Sequence, residues 1–395
     1  MMGRAALRGL PGLVASIALA ASAGATAQAM PIFAKAYGVQ CSTCHTVVPA
    51  LNAYGRYVQR TGYASLNRDV LNTVSPIWIG EQVNGDSTGG VSDIAPTHTS
   101  SFGNLALHAA GYLAPDWTFH VQQWLLQNDS GGGSLDTAWV TYNNLFHKDG
   151  HLFIGKIEAP GPSPFSQWSD ISGFAAPAIT VGEHPYQLDG NRWGAKFAYV
   201  HGALDAEAAW LLSGNGFVSS QDFNTMPGTD KTFQWKVASA HPDQPLEIGA
   251  FGSMGSYVLS TGDVDRYSSF AGYLQRDPEP SGIPGVLGIY QIGNDKLPGF
   301  DAGGAQLPSA RSTAFTAEIY ESLFNRNAIL AFRNEYTNDG LGNFAHFQNI
   351  DLGFNVPRMP YLHAYLEAGL GANSTTQSGG PTWRWLLWWT TPVAQ

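Results

Sequence analysis

From Pro76 onward the chain sets apolar and polar residues in alternation, and this period constrains its fold more than any other feature. In the run Arg192 to Tyr199, the apolar Trp193, Ala195, Phe197 and Tyr199 interleave with Arg192 and Lys196. Phe233-Gln234-Trp235-Lys236-Val237 repeats the pattern, and Leu362, Ala364, Leu366, Ala368 and Leu370 alternate with His363, Tyr365 and Glu367. Successive side chains of a strand point to opposite faces, so period two means strands with one greasy and one polar face. A β-sandwich would turn the greasy face inward; a membrane barrel would turn it toward lipid.

Composition and connections favour the barrel. Charged residues are 13% of the chain, against roughly 25% in ordinary globular proteins. Aromatics are 12%, glycines number 46, and the mean hydropathy is only -0.11. No run of eighteen apolar residues follows the N-terminal leader, so no transmembrane helix is expected. Alternation and turn residues place sixteen strands between residues 76 and 392, an even number as in bacterial single-chain barrels. Short connections such as Ala114-Pro115-Asp116 and Gly202-Ala203 follow most even-numbered strands; mostly longer, Gly-rich ones follow the odd-numbered strands. That asymmetry distinguishes the periplasmic from the extracellular end of an outer-membrane barrel, and it puts both termini in the periplasm. The connection Pro278 to Pro284 is longer than its side of the barrel predicts. Strand parity directs Arg192, Lys196, Lys236, Glu318, Arg333, Glu335, Asp351, Glu367 and Arg384 into the lumen as a salt-bridged, hydrated interior.

The N-terminus carries Arg4 and Arg8, an apolar stretch from Gly9 to Ala25, and the small-x-small site Ala27-Gln28-Ala29. Residues 1–29 are therefore expected to be a secretory signal peptide, with Ala25-Thr26-Ala27 as a second possible cut. The formal charge is -10, and removal of the two leader arginines makes it -12. Such a balance argues against nucleic acid and favours cationic partners.

After the leader comes Cys41-Ser42-Thr43-Cys44-His45, which contains both cysteines of the chain. Two thiols two residues apart, followed by an imidazole, form the attachment signature of one covalent c-type haem. Cys41 and Cys44 would each form a thioether, and His45 would be an axial ligand of the haem iron. The competing readings are a plain disulfide and a thioredoxin-like redox pair, the latter requiring a βαβ context that the flanks do not supply. Residues 50 to 60 predict a short helix after Pro49, with Leu51, Tyr54 and Val58 on one face and Gly62 at its end. Residues 30–71 form this haem segment, too small to bury a cytochrome core alone, and 72–395 form the barrel. The second axial position has three candidates: Met30, a histidine of the barrel, or no protein ligand. His147, His151, His201, His241 and His363 fall near the short turns and read as polar turn histidines.

The stretch Ala29-x-Pro31-x-Phe33-Ala34, Gly38, Cys41 to His45, Pro49, Leu51, Gly55-Arg56 and Gly62-Tyr63 resembles the fused cytochrome–porins. These are single-haem outer-membrane proteins of iron-oxidising bacteria. The close resemblance covers about thirty-five residues; beyond them it is architectural. The chain departs from the iron-oxidising members at Tyr37 and at Tyr57-Val58, which bears on the electron donor rather than the fold. The resemblance implies an outer-membrane protein that carries electrons from an extracellular donor, above all Fe(II), to a periplasmic cytochrome. The alternatives are outward flow to an external acceptor, and a haem-bearing diffusion porin. Resemblance to sixteen-stranded porins implies that the longest loop, Pro160 to Gly190, folds into the lumen and narrows it. Its Asp170, Glu183, His184 and Asp189 would then meet a cation; a solvated surface loop is the other reading.

Overall fold

The structure, a computed structural model, describes residues 31–392 except 49, 89–96, 127–132, 163–172, 187, 213–229, 280–281, 325–326, 357–358, 360–361 and 374–381. The leader and Asp170 lie outside the described residues. Two short strands, β1 (His45–Val47) and β2 (Ala50–Leu51), form a hairpin ahead of the barrel. The barrel begins with β3 (Ile77–Thr88), β4 (Thr97–Ala114), β5 (Trp117–Leu126), β6 (Leu135–Leu145) and β7 (Gly150–Glu158). A second small hairpin, β8 (Thr180–Val181) and β9 (His184–Pro185), sits in the loop that follows β7. The wall resumes with β10 (Asn191–His201), β11 (Leu204–Leu211), β12 (Asp230–Ala240), β13 (Leu246–Val258), β14 (Val264–Arg276) and β15 (Gly285–Asp295). It ends with β16 (Ala310–Leu323), β17 (Ala328–Asn338), β18 (Phe344–Asn355), β19 (Leu362–Asn373) and β20 (Thr382–Pro392). Each wall strand pairs antiparallel with the next, β7 with β10, and β20 returns to β3. Sixteen strands thus form a closed barrel without an open edge.

The alternation in the sequence becomes the two faces of this wall. Along β14 exposed and buried residues alternate from Val264 to Gln275, with Phe270 and Leu274 outside and Tyr267, Ala271 and Tyr273 inside. Ile248, Ile319, Leu330, Phe332, Ile350, Leu366 and Leu370 add to the outward apolar band. Trp117, Phe146 and Phe324 stand at the rim of short connections, and Trp210, Phe344 and Trp383 toward the other. Aromatic rings at both ends of an apolar band are the girdles of a membrane-spanning barrel. Of the charges assigned to the lumen by parity, Arg192, Lys196, Lys236, Glu318, Arg333, Glu335, Asp351 and Glu367 are buried, and Arg384 is partly so. Lys196 pairs with Glu207 at 3.0 Å, Lys236 with Asp205 at 2.7 Å, and Arg333 with Glu335 at 3.4 Å.

The N-terminal segment comprises α1 (Pro31–Tyr37), a 3-10 turn over Cys41–Thr43, the β1–β2 hairpin, α2 (Ala53–Arg60) and α3 (Arg68–Leu71). It lies inside the barrel at the rim of short connections. Ile32, Phe33, Val58 and Tyr63 pack with Trp78 of β3, Ala110 of β4, Trp139 of β6 and Phe153 of β7. On another part of the wall, Val47 and Ala50 pack with Tyr320 of β16 and with Ile329 and Ala331 of β17. A segment too short for its own core therefore uses the lumen wall as the rest of it. Each large apolar side chain buried this way contributes about 1.5–3 kcal/mol.

The helix expected over 50–60 is shorter than the sequence suggests. Ala50 and Leu51 pair with β1, and α2 starts at Ala53 because Asn52 caps it, its Oδ1 accepting from the Gly55 amide at 3.0 Å. Pro49 lies outside the described residues. Gly62 follows the helix with φ +54°, as a helix-terminating glycine does.

At the other rim the loop after β7 turns inward. Phe174, Ile179, Val181, Tyr186 and Leu188 are buried against Ala238, Phe251, Tyr267, Tyr273 and Ile289 of the wall. The constriction reading of this loop holds, and the solvated-surface reading does not.

Candidate functional site

The loop Cys41 to His45 is held from behind by α2. The Cys44 amide donates to the Cys41 carbonyl at 3.0 Å, closing the 3-10 turn. Asn52 donates through Nδ2 to the carbonyls of Ser42 at 3.2 Å and Thr43 at 3.1 Å, and its own amide donates to the Cys44 carbonyl at 2.9 Å. One residue thus caps α2 and clamps the motif. At Gly55 any Cβ would collide with the Cys44 carbonyl oxygen, so only glycine lets the helix approach this closely.

Cys41 and Cys44 are free thiols rather than a disulfide, and Cys41 and His45 are buried. Burial pushes both thiols up, Cys44 to about 11, so neither is an activated thiolate. Two residues of β19 face this loop. His363 is close enough to His45 to interact electrostatically and donates from Nδ1 to Asn355 Oδ1 at 2.7 Å. Tyr365 lies near Cys41, and its buried hydroxyl has no hydrogen-bond partner among the described residues. The structure therefore gathers two thiols, two imidazoles and an unmatched hydroxyl. This donor set suits a covalently attached haem, with Cys41 and Cys44 as attachment points and His45 as ligand.

Buried charge fixes where the segment sits. Arg56 pairs with Glu247 of β13 at 3.0 Å and with Asp277 at 2.7 Å, and Asp277 also accepts from the Ala53 amide at 2.7 Å. Arg60 pairs with Glu247 at 3.0 Å and Asp205 of β11 at 3.3 Å. Burial alone would lower both guanidinium pKa values. Asp277 and Glu247 around Arg56, and Asp205 and Glu247 around Arg60, instead raise them, and both arginines are charged. Asp277 lies in the longest connection on its rim, 277–284. That length, anomalous in the sequence, carries a carboxylate back to the first turn of α2.

Farther round, Gly62 accepts from Thr118 Oγ1 at 2.5 Å, Thr118 from Asn143 at 2.8 Å, and Asn143 meets His151 at 2.9 Å. Tyr63 hydrogen-bonds His120 at 3.2 Å, and Trp78 stacks between His120 and His108, with ring centroids 6.5 and 4.9 Å away. A small polar chamber opens between α2 and the inward loop, lined by Arg60, Glu158, Asp189, Lys196, Glu207 and Lys236. Burial raises the Asp189 carboxyl to about 6.

His147, His201 and His241 are turn histidines, as expected; His201 is largely exposed and pairs with Asp149 at 2.8 Å. His151 and His363 are not. Both are buried in the lumen, because each begins its strand on the inward parity. Parity along Trp117-Thr118-Phe119-His120, Leu204-Asp205-Ala206-Glu207 and Leu246-Glu247-Ile248 also turns His120, Asp205, Glu207 and Glu247 inward, beyond the lumen charges named from the sequence. Nothing in sequence spacing marked Arg56 or Asp277 as partners. Glu183, His184 and Asp189 are separated: Glu183 accepts from the Ser260 amide at 2.9 Å, His184 is buried against β14 and β15, and Asp189 lines the chamber.

No protein-family model and no curated protein matches the chain. Solved structures share its architecture. The anion-selective porin from Comamonas acidovorans superposes with a TM-score of 0.58 at 10% identity, covering 80% of this chain and 98% of that one. Salmonella typhi OmpF, solved in complex with daunomycin, gives 0.57 at 9% identity over 81% of this chain and 99% of its own. A loop L8 deletion mutant of OmpT, an outer membrane protein of Vibrio cholerae, gives 0.54 at 12% identity over 79% and 99%. At these identities the likeness establishes a porin-like barrel fold.

Proposed function

We propose that this chain is an outer-membrane cytochrome–porin that moves electrons between an extracellular donor, Fe(II), and a periplasmic electron carrier. The observation that carries the proposal is the placement of Cys41, Cys44 and His45 inside a lipid-facing barrel, on the same rim as the short connections. Haem c attached there supplies a one-electron redox centre in an otherwise insulating membrane. The protein's own residues supply position. Asn52 and Gly55 fix the motif on α2, and Arg56 and Arg60 fix α2 in the wall. His363, buried on β19 and in electrostatic reach of His45, is the barrel histidine that would hold the haem iron together with His45. Its Nδ1 bond to Asn355 orients the ring in the manner of metal-bound histidines.

Keeping iron outside has a chemical reason, since Fe(III) precipitates near neutral pH. The filled lumen serves the same end by opposing free diffusion of the donor into the periplasm. The negative formal charge suits a cationic donor. The test is a haem stain of the purified protein on a denaturing gel, alongside Cys41→Ala and Cys44→Ala variants. Stain retained by wild type and lost in the double variant is expected. No covalent haem in wild type, together with open-channel conductance in planar bilayers, would make the protein a diffusion porin instead.

A further inference from the structure

Toward the rim of long loops the lumen holds a second cluster of titratable groups, which the N-terminal segment does not touch. His184 of β9, Asp265 of β14 and Asp295 of β15 are each no more than 1% exposed. In the β14–β15 register Tyr267 faces Asp295, so Asp265 lies on the same face one diagonal away. His184 Nδ1 stands 2.8 Å from Asp295 Oδ1 and 3.7 Å from Asp265 Oδ2. One donor atom from each residue lies within 4.8 Å of the others.

The remaining oxygens are tied down. The Tyr186 hydroxyl donates to Asp295 Oδ2 at 2.9 Å, and the amides of Lys296 and Leu297 donate to Asp265 Oδ1 at 3.0 and 2.8 Å. Asp265 Oδ2 is buried without a hydrogen-bond partner and faces the point where the three donors converge. Tyr257 and Tyr267 flank the imidazole with ring centroids 5.0 and 4.1 Å away. Among the described residues neither carboxylate makes an ion pair with a lysine or arginine. Two carboxylates buried side by side with no lysine or arginine between them form an electronegative pocket that attracts a cation.

We propose that His184, Asp265 and Asp295 bind one divalent cation of the first transition row, clipping the inward loop to the barrel wall. The class follows from the donors: Ca²⁺ and Mg²⁺ favour all-oxygen sites, whereas a mixed imidazole–carboxylate set suits Mn²⁺ to Zn²⁺. Donors bound about 2.1 Å from one ion stand about 3.0–3.4 Å apart, from right-angled to tetrahedral geometry. The two distances from His184, 2.8 and 3.7 Å, bracket that range, and all three donors lie within 4.8 Å of one another. Tyr186 and the two amides orient the carboxylates. Glu183, next to His184 in the chain and partly exposed, offers a carboxylate on the path from the long-loop rim. The site is independent of whether haem is attached at Cys41 and Cys44.

The test uses the full-length protein in detergent, stripped with chelator and titrated with Co²⁺, read by visible d–d absorption and by thermal shift. One saturable equivalent is expected, raising the melting temperature. Asp265→Asn with Asp295→Asn should weaken Co²⁺ by at least about tenfold, as should His184→Gln, and Tyr186→Phe by less. Heat-modifiable gel mobility confirms that each variant is folded, and Tyr186→Phe, which leaves all three donors intact, keeps the test open if another variant fails. Unchanged Co²⁺ affinity across the set would place the ion elsewhere and overturn the assignment. Absence of a saturable signal in wild type at millimolar Co²⁺ would overturn it too, leaving a proton-sharing cluster.

Discussion

The barrel is filled at two levels; both fillings pack apolar side chains on the wall, but among the described residues only the N-terminal one adds buried arginine–carboxylate pairs. At the short-connection rim the segment 31–71 is pinned by buried charge, with Arg56 and Arg60 set among Glu247, Asp277 and Asp205. At the other level the loop 173–190 is seated by apolar and aromatic side chains, Phe174, Ile179, Val181, Tyr186 and Leu188. Hydrophobic burial stabilises without direction, whereas a buried ion pair is satisfied in one placement only. The loop is seated mainly by apolar packing, supplemented by the buried His184 against Asp295. The segment carrying Cys41, Cys44 and His45 must stand at one position, and charge pairing supplies that registry.

The comparison predicts the order in which substitutions hurt. Arg56→Ala strands Asp277, leaves Glu247 to Arg60 alone, and should cost about 3–5 kcal/mol of docking. Faster trypsin cleavage of the N-terminal segment and a rise in bilayer conductance would register it. An unchanged digest would mean that apolar packing, rather than charge, holds the segment. Ile179→Ala should cost about 2–4 kcal/mol at the loop while leaving the digest of the N-terminal segment unchanged. Hydrogen exchange of the 173–190 amides reads this directly; loss of protection in both regions would show that the two fillings are one cooperative unit.

Gly55→Ala comes next, at about 1–3 kcal/mol, because the added methyl must push α2 off the Cys44 carbonyl. Its readout is haem yield per mole of folded barrel, which should fall. The smallest effect concerns pH. Burial raises the Asp189 carboxyl from 3.8 to about 6, so the folded chain holds a proton there that the unfolded chain has released. The protonated form's contribution to stability is full below about 3.8 and is lost as pH rises through about 6. Partial exposure of Asp189 keeps the effect small. Melting curves of wild type and Asp189→Asn should diverge with rising pH across that window, in favour of the variant; parallel curves would refute the assignment.

The wall was legible in the sequence because its signal is local. Period two fixes which residues face lipid, and turn residues fix the ends, so strands such as 191–201 and 328–338 carry the expected bounds. The same rule placed Arg192, Lys196 and Glu335 inside. It had little purchase on the N-terminal segment, where structure is decided by what the wall offers. Asn52 starts α2 later than Pro49 suggested, and Arg56 meets Asp277 across 221 residues of chain. Such contacts leave no local pattern. His363 shows both cases: parity turned it inward, but only the closed barrel sets it within electrostatic reach of His45.

The most direct measurement places the protein in liposomes with oxidised soluble cytochrome trapped inside and Fe(II) supplied only outside, without oxygen. The account predicts that the trapped cytochrome is reduced while the iron stays outside, and that His45→Ala and the Cys41→Ala, Cys44→Ala double variant abolish reduction. No reduction by wild type, or equal reduction by the variants, would contradict it.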